Sequence, residues 1–165
     1  YENYECVIFH MTDLPYGRGG SPLQNLIVRG IRETKISALR CIEEVDAGPI
    51  FMKRPLSLQG TAQDIYFRAN AIIEDMIVSI IENKPDPLGQ TGEVVLFKRR
   101  KESDGSLSQL KTLEQVYDHI RMLDAEGYPN AFIETDKLNF KFKNASVKSD
   151  YIIADVIIMR KPDEE

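Results

Sequence analysis

Only two histidines and two cysteines occur among the 165 residues, and their scarcity narrows the chemistry before any motif is read. No HExxH, no pair of CxxC motifs and no cluster of His with Asp signals a metal site, and no phosphate-binding glycine loop of standard form is present. Cys6 and Cys41 lie in separate apolar runs and read as buried free thiols of a reducing compartment rather than as a disulfide. No apolar run approaches the roughly 18 residues that a membrane-spanning helix needs, so a cytoplasmic protein with no membrane partner is expected. The opening "YENYE" is polar and acidic, unlike a signal peptide. There is no methionine at position 1, and Tyr1 is expected not to be the biological start, with a further portion preceding it. Basic charge is also short: the net charge of -5 argues against a general nucleic-acid binder, because counterion release needs a basic surface. A local basic patch stays open.

What is there reads as a globular α/β chain, with 42% hydrophobic and 28% charged residues and a length of one domain or one and a half. Residues 4 to 10 read as a first strand, followed by a loop rich in glycine and proline to Gly20. "SPLQ" reads as a helix start, with Ser21 as N-cap, Pro22 at the first helical position and Gln24 completing a capping box. Leu23, Leu26, Ile27 and Ile31 carry that helix on. Residues 34 to 44 and 49 to 58 read as extended segments, joined by a loop with three carboxylates. Thr61 opens the clearest helix, whose apolar face runs from Ile65 through Ile81 before Asn83-Lys84-Pro85 ends it. Residues 83 to 92 read as a linker or long loop. Beyond them a strand leads into the basic run "FKRRK". A helix from Thr112 with Gln115 as its box partner follows, then three strand-like segments, of which "LNFKFK" alternates strictly. The expected organisation is residues 1–92 as one part and residues 93–165 as a small domain with one helix and an antiparallel sheet.

Chemistry concentrates at two strand ends. His10 closes the first strand, with Gly17, Arg18, Gly19 and Gly20 following in a loop that lets backbone approach a ligand. Glu43, Glu44 and Asp46 follow the next strand. Two successive strand ends, one giving imidazole and one carboxylate, meet the requirement for moving a proton near neutral pH. A structural strand-end histidine is the competing reading, and it requires His10 and Asp46 to lie far apart.

The residues "FHMTDLPYGRGG" with "SPLQNLI", and then "ISALRCIEEVDAGPI", resemble the catalytic half of the 10-formyltetrahydrofolate-dependent formyltransferases, which act on methionyl-tRNA, glycinamide ribonucleotide or amino sugar nucleotides. The resemblance covers residues 6 to 82 and, more loosely, later segments. It implies the C-terminal half of a Rossmann-like core followed by a small α+β domain. It also implies 10-formyltetrahydrofolate as formyl donor and a primary amine as acceptor, either an amino sugar nucleotide or methionyl-tRNA. His10 matches the family's catalytic histidine, which stabilises the oxyanion, and Asp46 the aspartate that orients it. Glu43, Glu44 and Val45 match the loop that wraps the pterin. Thr12, Tyr16, Arg18 and Gly19 fall in the characteristic turn facing the substrates.

One position departs. The family has asparagine two residues before the histidine, and Ile8 stands there. Losing one oxyanion donor costs about 2.7–4 kcal/mol of transition-state stabilisation. Thr12 and Asn25 are the candidate replacements. The alternative is a non-catalytic relative that binds folate or a nucleotide sugar. "FKRRK" reads either as a solvated strand end or as a contact for a phosphate-bearing acceptor. His119 reads as exposed on its helix, beside Asp118.

Overall fold

The central strand of the first sheet, β3 (Glu33–Arg40), is covered on both faces: Ile36, Ser37, Ala38 and Leu39 are all buried. Its neighbours are β1 (Val7–His10) and β4 (Ile50–Ser57), giving the order β1-β3-β4. Both pairings are antiparallel, with His10 opposite Ser37 and Leu39 opposite Ile50. Pro55 is tolerated because β4 is an edge strand in this sheet, where a missing N–H costs no ladder bond. The computed structural model describes residues 4–161. The chain forms two compact units, one of residues up to Gln59 with Asp64–Arg100, the other of Gly60–Gln63 with residues from Lys101 onward.

In the first unit, β2 (Tyr16–Gly19) pairs in parallel with β5 (Val95–Phe97), and α1 (Pro22–Ile27) follows β2. This helix stops earlier than its apolar spacing suggests. Gly30, at φ 73°, sits just past its end, with the Gly30 N–H bonded to the Ile27 carbonyl and the Ile31 N–H to the Leu26 carbonyl. That is the paired capping pattern in which a left-handed glycine closes a helix. The expected capping box at its start is absent: Ser21 is left-handed at φ 50° with no side-chain cap bond. Its hydroxyl instead accepts the Arg100 N–H at 3.0 Å.

The long helix α2 (Ala62–Asn83) has the expected span. Ala62, Ile65, Ala69 and Met76 form its buried stripe, but Ile77 and Ile81 are exposed. Residues 83 to 92 are held to the first unit, because Leu88 and Ile50 exchange both backbone hydrogen bonds at 2.9 and 2.7 Å.

In the second unit, α3 (Leu113–Met122) packs on an antiparallel sheet of β6 (Ala131–Glu134), β7 (Leu138–Val147) and β8 (Ile152–Arg160), in the order β6-β7-β8. Thr112 caps α3 by accepting the Gln115 N–H, and Gln115 reaches back to the Lys111 N–H, one residue before the expected partner. The architecture is the mixed α/β class read from the sequence, an α/β unit followed by a small α+β one. Burial along β7 does not follow the alternation of "LNFKFK", since all six of those residues are half-buried. The two cysteines are free and half-buried on adjacent backbone, with the Cys41 N–H bonded to the Cys6 carbonyl. Among the described residues no helix is long and apolar enough to cross a membrane.

Candidate functional site

His10 ends β1 with 9% of its surface exposed. Its Nε2 lies 2.8 Å from the Gly17 carbonyl, and its Nδ1 lies 3.5 Å from Oδ2 of Asp46. Both ring nitrogens therefore face oxygen acceptors, an arrangement that an imidazolium satisfies at both ends. The turn that brings Gly17 back is tied to β3. Ser37 Oγ donates to the Thr12 carbonyl at 2.7 Å and accepts the Leu14 N–H.

Asp46 arrives by a route that the linear reading does not anticipate. Because β1 and β3 are antiparallel, the end of β3 lies beside Val7, at the far end of β1 from His10. The carboxylate reaches the histidine because residues 41–49, which connect β3 to β4, fold back toward the His10 end of β1. Two backbone features make that possible. Asp46 is left-handed at φ 53°, a conformation that aspartate tolerates better than most residues. Gly48 packs so closely that a Cβ would come 1.8 Å from the Arg40 carbonyl oxygen. Oδ2 of Asp46 also accepts the Gly19 N–H at 2.8 Å, which fixes the carboxylate against β2.

Arg18 and Gln90 complete the frame. Arg18 Nε and Nη2 donate to Gln90 Oε1 at 3.1 and 2.9 Å, and Nη1 donates to Glu44 Oε1 at 3.1 Å. Gln90 Nε2 in turn donates to the carbonyls of Asp46 and Gly48 at 2.8 and 2.9 Å. Glu43, Glu44 and Val45 form the exposed crest of the loop, with Val45 68% exposed. Tyr16 meets Phe97 edge-on and, with Asp13 and Lys35, lines a cleft of about 430 Å³. Partial burial pushes the Asp13 carboxyl up, but hydrogen bonds and charge from Lys53 and Lys35 outweigh it and hold the group below its ordinary value.

Thr12 is turned to the backbone of its own turn. It is fully buried, and its hydroxyl points to the Gly17 carbonyl at 3.4 Å. Asn25 is likewise committed, since its amide donates to the carbonyls of Gly20 and Lys98. Neither candidate replacement for the missing asparagine has a donor to spare. Ile8 lies two residues before His10 and so shares its face of β1. In the basic run, Lys98 and Arg99 are exposed, while Arg100 is half-buried with its N–H on Ser21. His119 is half-buried with Nδ1 2.9 Å from the Gln115 carbonyl. Beside it, Asp118 and Arg121 form a buried ion pair at 2.7 Å, which the sequence reading passes over. Ser37 and Gln90 were also not anticipated. Ser37 looks like any small strand residue, and Gln90 sits in a stretch whose prolines and glycines signal only a loop. Among the described residues no group of three His, Cys, Asp or Glu side chains is placed to hold a metal.

Residues 102–159 match the model of the methionyl-tRNA formyltransferase C-terminal domain. A methionyl-tRNA formyltransferase from Bacillus thuringiensis is 30% identical over 128 residues, covering 73% of this chain and 41% of that protein. The chain thus spans less than half the length of the curated relatives it matches. The solved structure of a methionyl-tRNA formyltransferase from Clostridium thermocellum superposes with a TM-score of 0.94 at 53% identity, over 97% of this chain and 71% of that one. The structure of HypX from Aquifex aeolicus, solved in complex with tetrahydrofolic acid, shares the fold: TM-score 0.68, 18% identity, 87% of this chain and 26% of that one. At 53% identity over 71% of a solved methionyl-tRNA formyltransferase and 97% of its own length, the chain belongs to the methionyl-tRNA formyltransferase family.

Proposed function

We propose that the protein transfers a formyl group from 10-formyltetrahydrofolate to a primary amine, with His10 and Asp46 as its catalytic pair. The observation that carries this reading is the 3.5 Å approach of His10 Nδ1 to Asp46 Oδ2 across two otherwise separate segments. Attack of a neutral amine on the formyl carbon leaves a negatively charged oxygen and a positively charged nitrogen. The imidazole of His10 can donate to the first charge once Nε2 leaves the Gly17 carbonyl, and the Asp46 carboxylate beside Nδ1 holds the ring in place. Both side chains are about nine-tenths shielded, which strengthens those interactions relative to water. Folate is supported as donor by family membership, by the exposed loop of Glu43, Glu44 and Val45, and by the tetrahydrofolic acid held by the HypX relative. Tyr16, Arg18 and Gly19 border the same turn, with Tyr16 on the cleft and Arg18 and Gly19 fastening the aspartate loop. No second reading of the donor is favoured.

For the acceptor, kinship at 53% identity with a methionyl-tRNA formyltransferase favours methionyl-tRNA. An amino sugar nucleotide is the second reading, favoured by the net charge of -5, since neutralising tRNA phosphates draws on Lys and Arg. Formyl transfer by the complete protein to methionyl-tRNA and to a panel of 4-amino sugar nucleotides separates them. Turnover on methionyl-tRNA is expected. Folate binding with no turnover on any amine would show a non-catalytic relative and refute the proposal.

A further inference from the structure

We propose that Gln90 is a positioning residue for this site, and that its amide sets where the Asp46 carboxylate sits against His10. The inference rests on the reading of His10 and Asp46 given above. A glutamine amide has two N–H donors and two carbonyl lone pairs, and all four are used here. The two N–H groups bind the carbonyls of Asp46 and Gly48, bracketing Ala47, and the carbonyl takes Nε and Nη2 of Arg18. Arg18 also reaches Glu44, so the Arg18–Gln90 pair grips the aspartate loop before and after the carboxylate. The loop needs such a grip: Asp46 is left-handed, and a non-glycine residue stays in that region only where its surroundings hold it there. Gln90 is itself anchored, because Leu88 two residues earlier is backbone-paired with Ile50 at the start of β4. The polarity cannot be met by an acid of the same shape. Glutamate would keep Arg18 but present oxygen to two carbonyl oxygens.

Gln90→Glu and Gln90→Ala in the complete protein test the assignment. Hydrogen exchange is read at the Gly19 amide, which donates to Oδ2 of Asp46, and turnover is read in wild-type and Asp46→Asn backgrounds. Misplacing a reacting group by an ångström costs on the order of 10²-fold, so kcat falls towards that in the wild-type background with KM for the amine little changed. In the Asp46→Asn background the same substitutions cost little more, because the group they position is already gone. Gly19 protection falls in Gln90→Glu and Gln90→Ala as it does in Asp46→Ala. Retained Gly19 protection, or equal losses of kcat in both backgrounds, overturns the inference. A wild-type protein that transfers no formyl group to any amine refutes the proposed function instead, and the exchange measurement still decides the role of Gln90.

Discussion

Ile8 and His10 point to the same face of β1, since side chains alternate along a strand, and that places an apolar group where a hydrogen-bond donor would serve the reaction. Thr12 and Asn25 are spent on backbone carbonyls, so the shortfall is not made up from this turn. Ile8→Asn is therefore expected to raise kcat by up to about 10²-fold, the lower end of what one oxyanion donor contributes. Steady-state formyl transfer measures it, and a rate unchanged or lowered in a folded variant contradicts the account. A second residue-scale prediction concerns Asp13, which is 42% exposed and paired with both Lys35 and Lys53. The folded protein holds this carboxyl below its ordinary value. Its contribution to stability is thus present at neutral pH and is lost as pH falls through that lowered value. Asp13→Asn should cost no more than about 1 kcal/mol at pH 7, as exposed ion pairs do, and the difference should vanish in strong acid. Denaturant unfolding of both proteins across that range checks it. His10 and Asp46 were legible in the sequence because a motif carries them. Ser37 and Gln90 were not, because their roles come from partners 25 and 42 to 72 positions away.

Among the elements, the two longer helices were readable because their apolar residues recur at helical spacing, and the cap of α3 is local: Thr112 and Gln115 close its start within four residues. The start of α1 was misread for a physical reason. Serine before proline suggests a cap, but the Ser21 hydroxyl is taken by Arg100, 79 positions away. Its end was misread because Ile31 continues the periodicity while Gly30 breaks the backbone. Strand β2 carries two glycines and has no strand signature; it exists because Gly20 and Phe97 bring it beside β5. The element on which the site most depends is the turn from β3 to β4. Gly48→Ala would put a Cβ 1.8 Å from the Arg40 carbonyl oxygen. Displacing that backbone should destabilise the protein by about 1–3 kcal/mol or more and move Asp46. Thermal unfolding with formyl transfer should show both losses together.

At the scale of the whole molecule, the α/β class was legible in composition and periodicity, whereas strand direction was not; the two compact units divide at Arg100 and Lys101. Alternation and apolar runs say that a strand exists, not which way its neighbour points; residues 41–49 are too few for the crossover that a parallel β3–β4 pair needs, but no such limit fixes the direction of β1. The second unit owes its stability to more than its sheet. Arg121 is 2% exposed, donates to Asp118 at 2.7 Å, and donates through Nη1 to the Gly60 carbonyl at 3.0 Å. Removing one partner of such a pair leaves the other charge buried, so Arg121→Ala should cost about 3–5 kcal/mol by chemical denaturation. A loss below 1 kcal/mol would show the pair to be dispensable.

The central claim is that His10 and Asp46 act as one unit in formyl transfer, and the most direct test is a double-mutant cycle on turnover from 10-formyltetrahydrofolate. His10→Ala and Asp46→Ala should each lower kcat by about 10²–10⁴-fold, the range of a positioned proton-transfer group. The double variant should be no worse than the more damaging single one. Near-wild-type turnover in either single variant, or losses that multiply, would contradict the account.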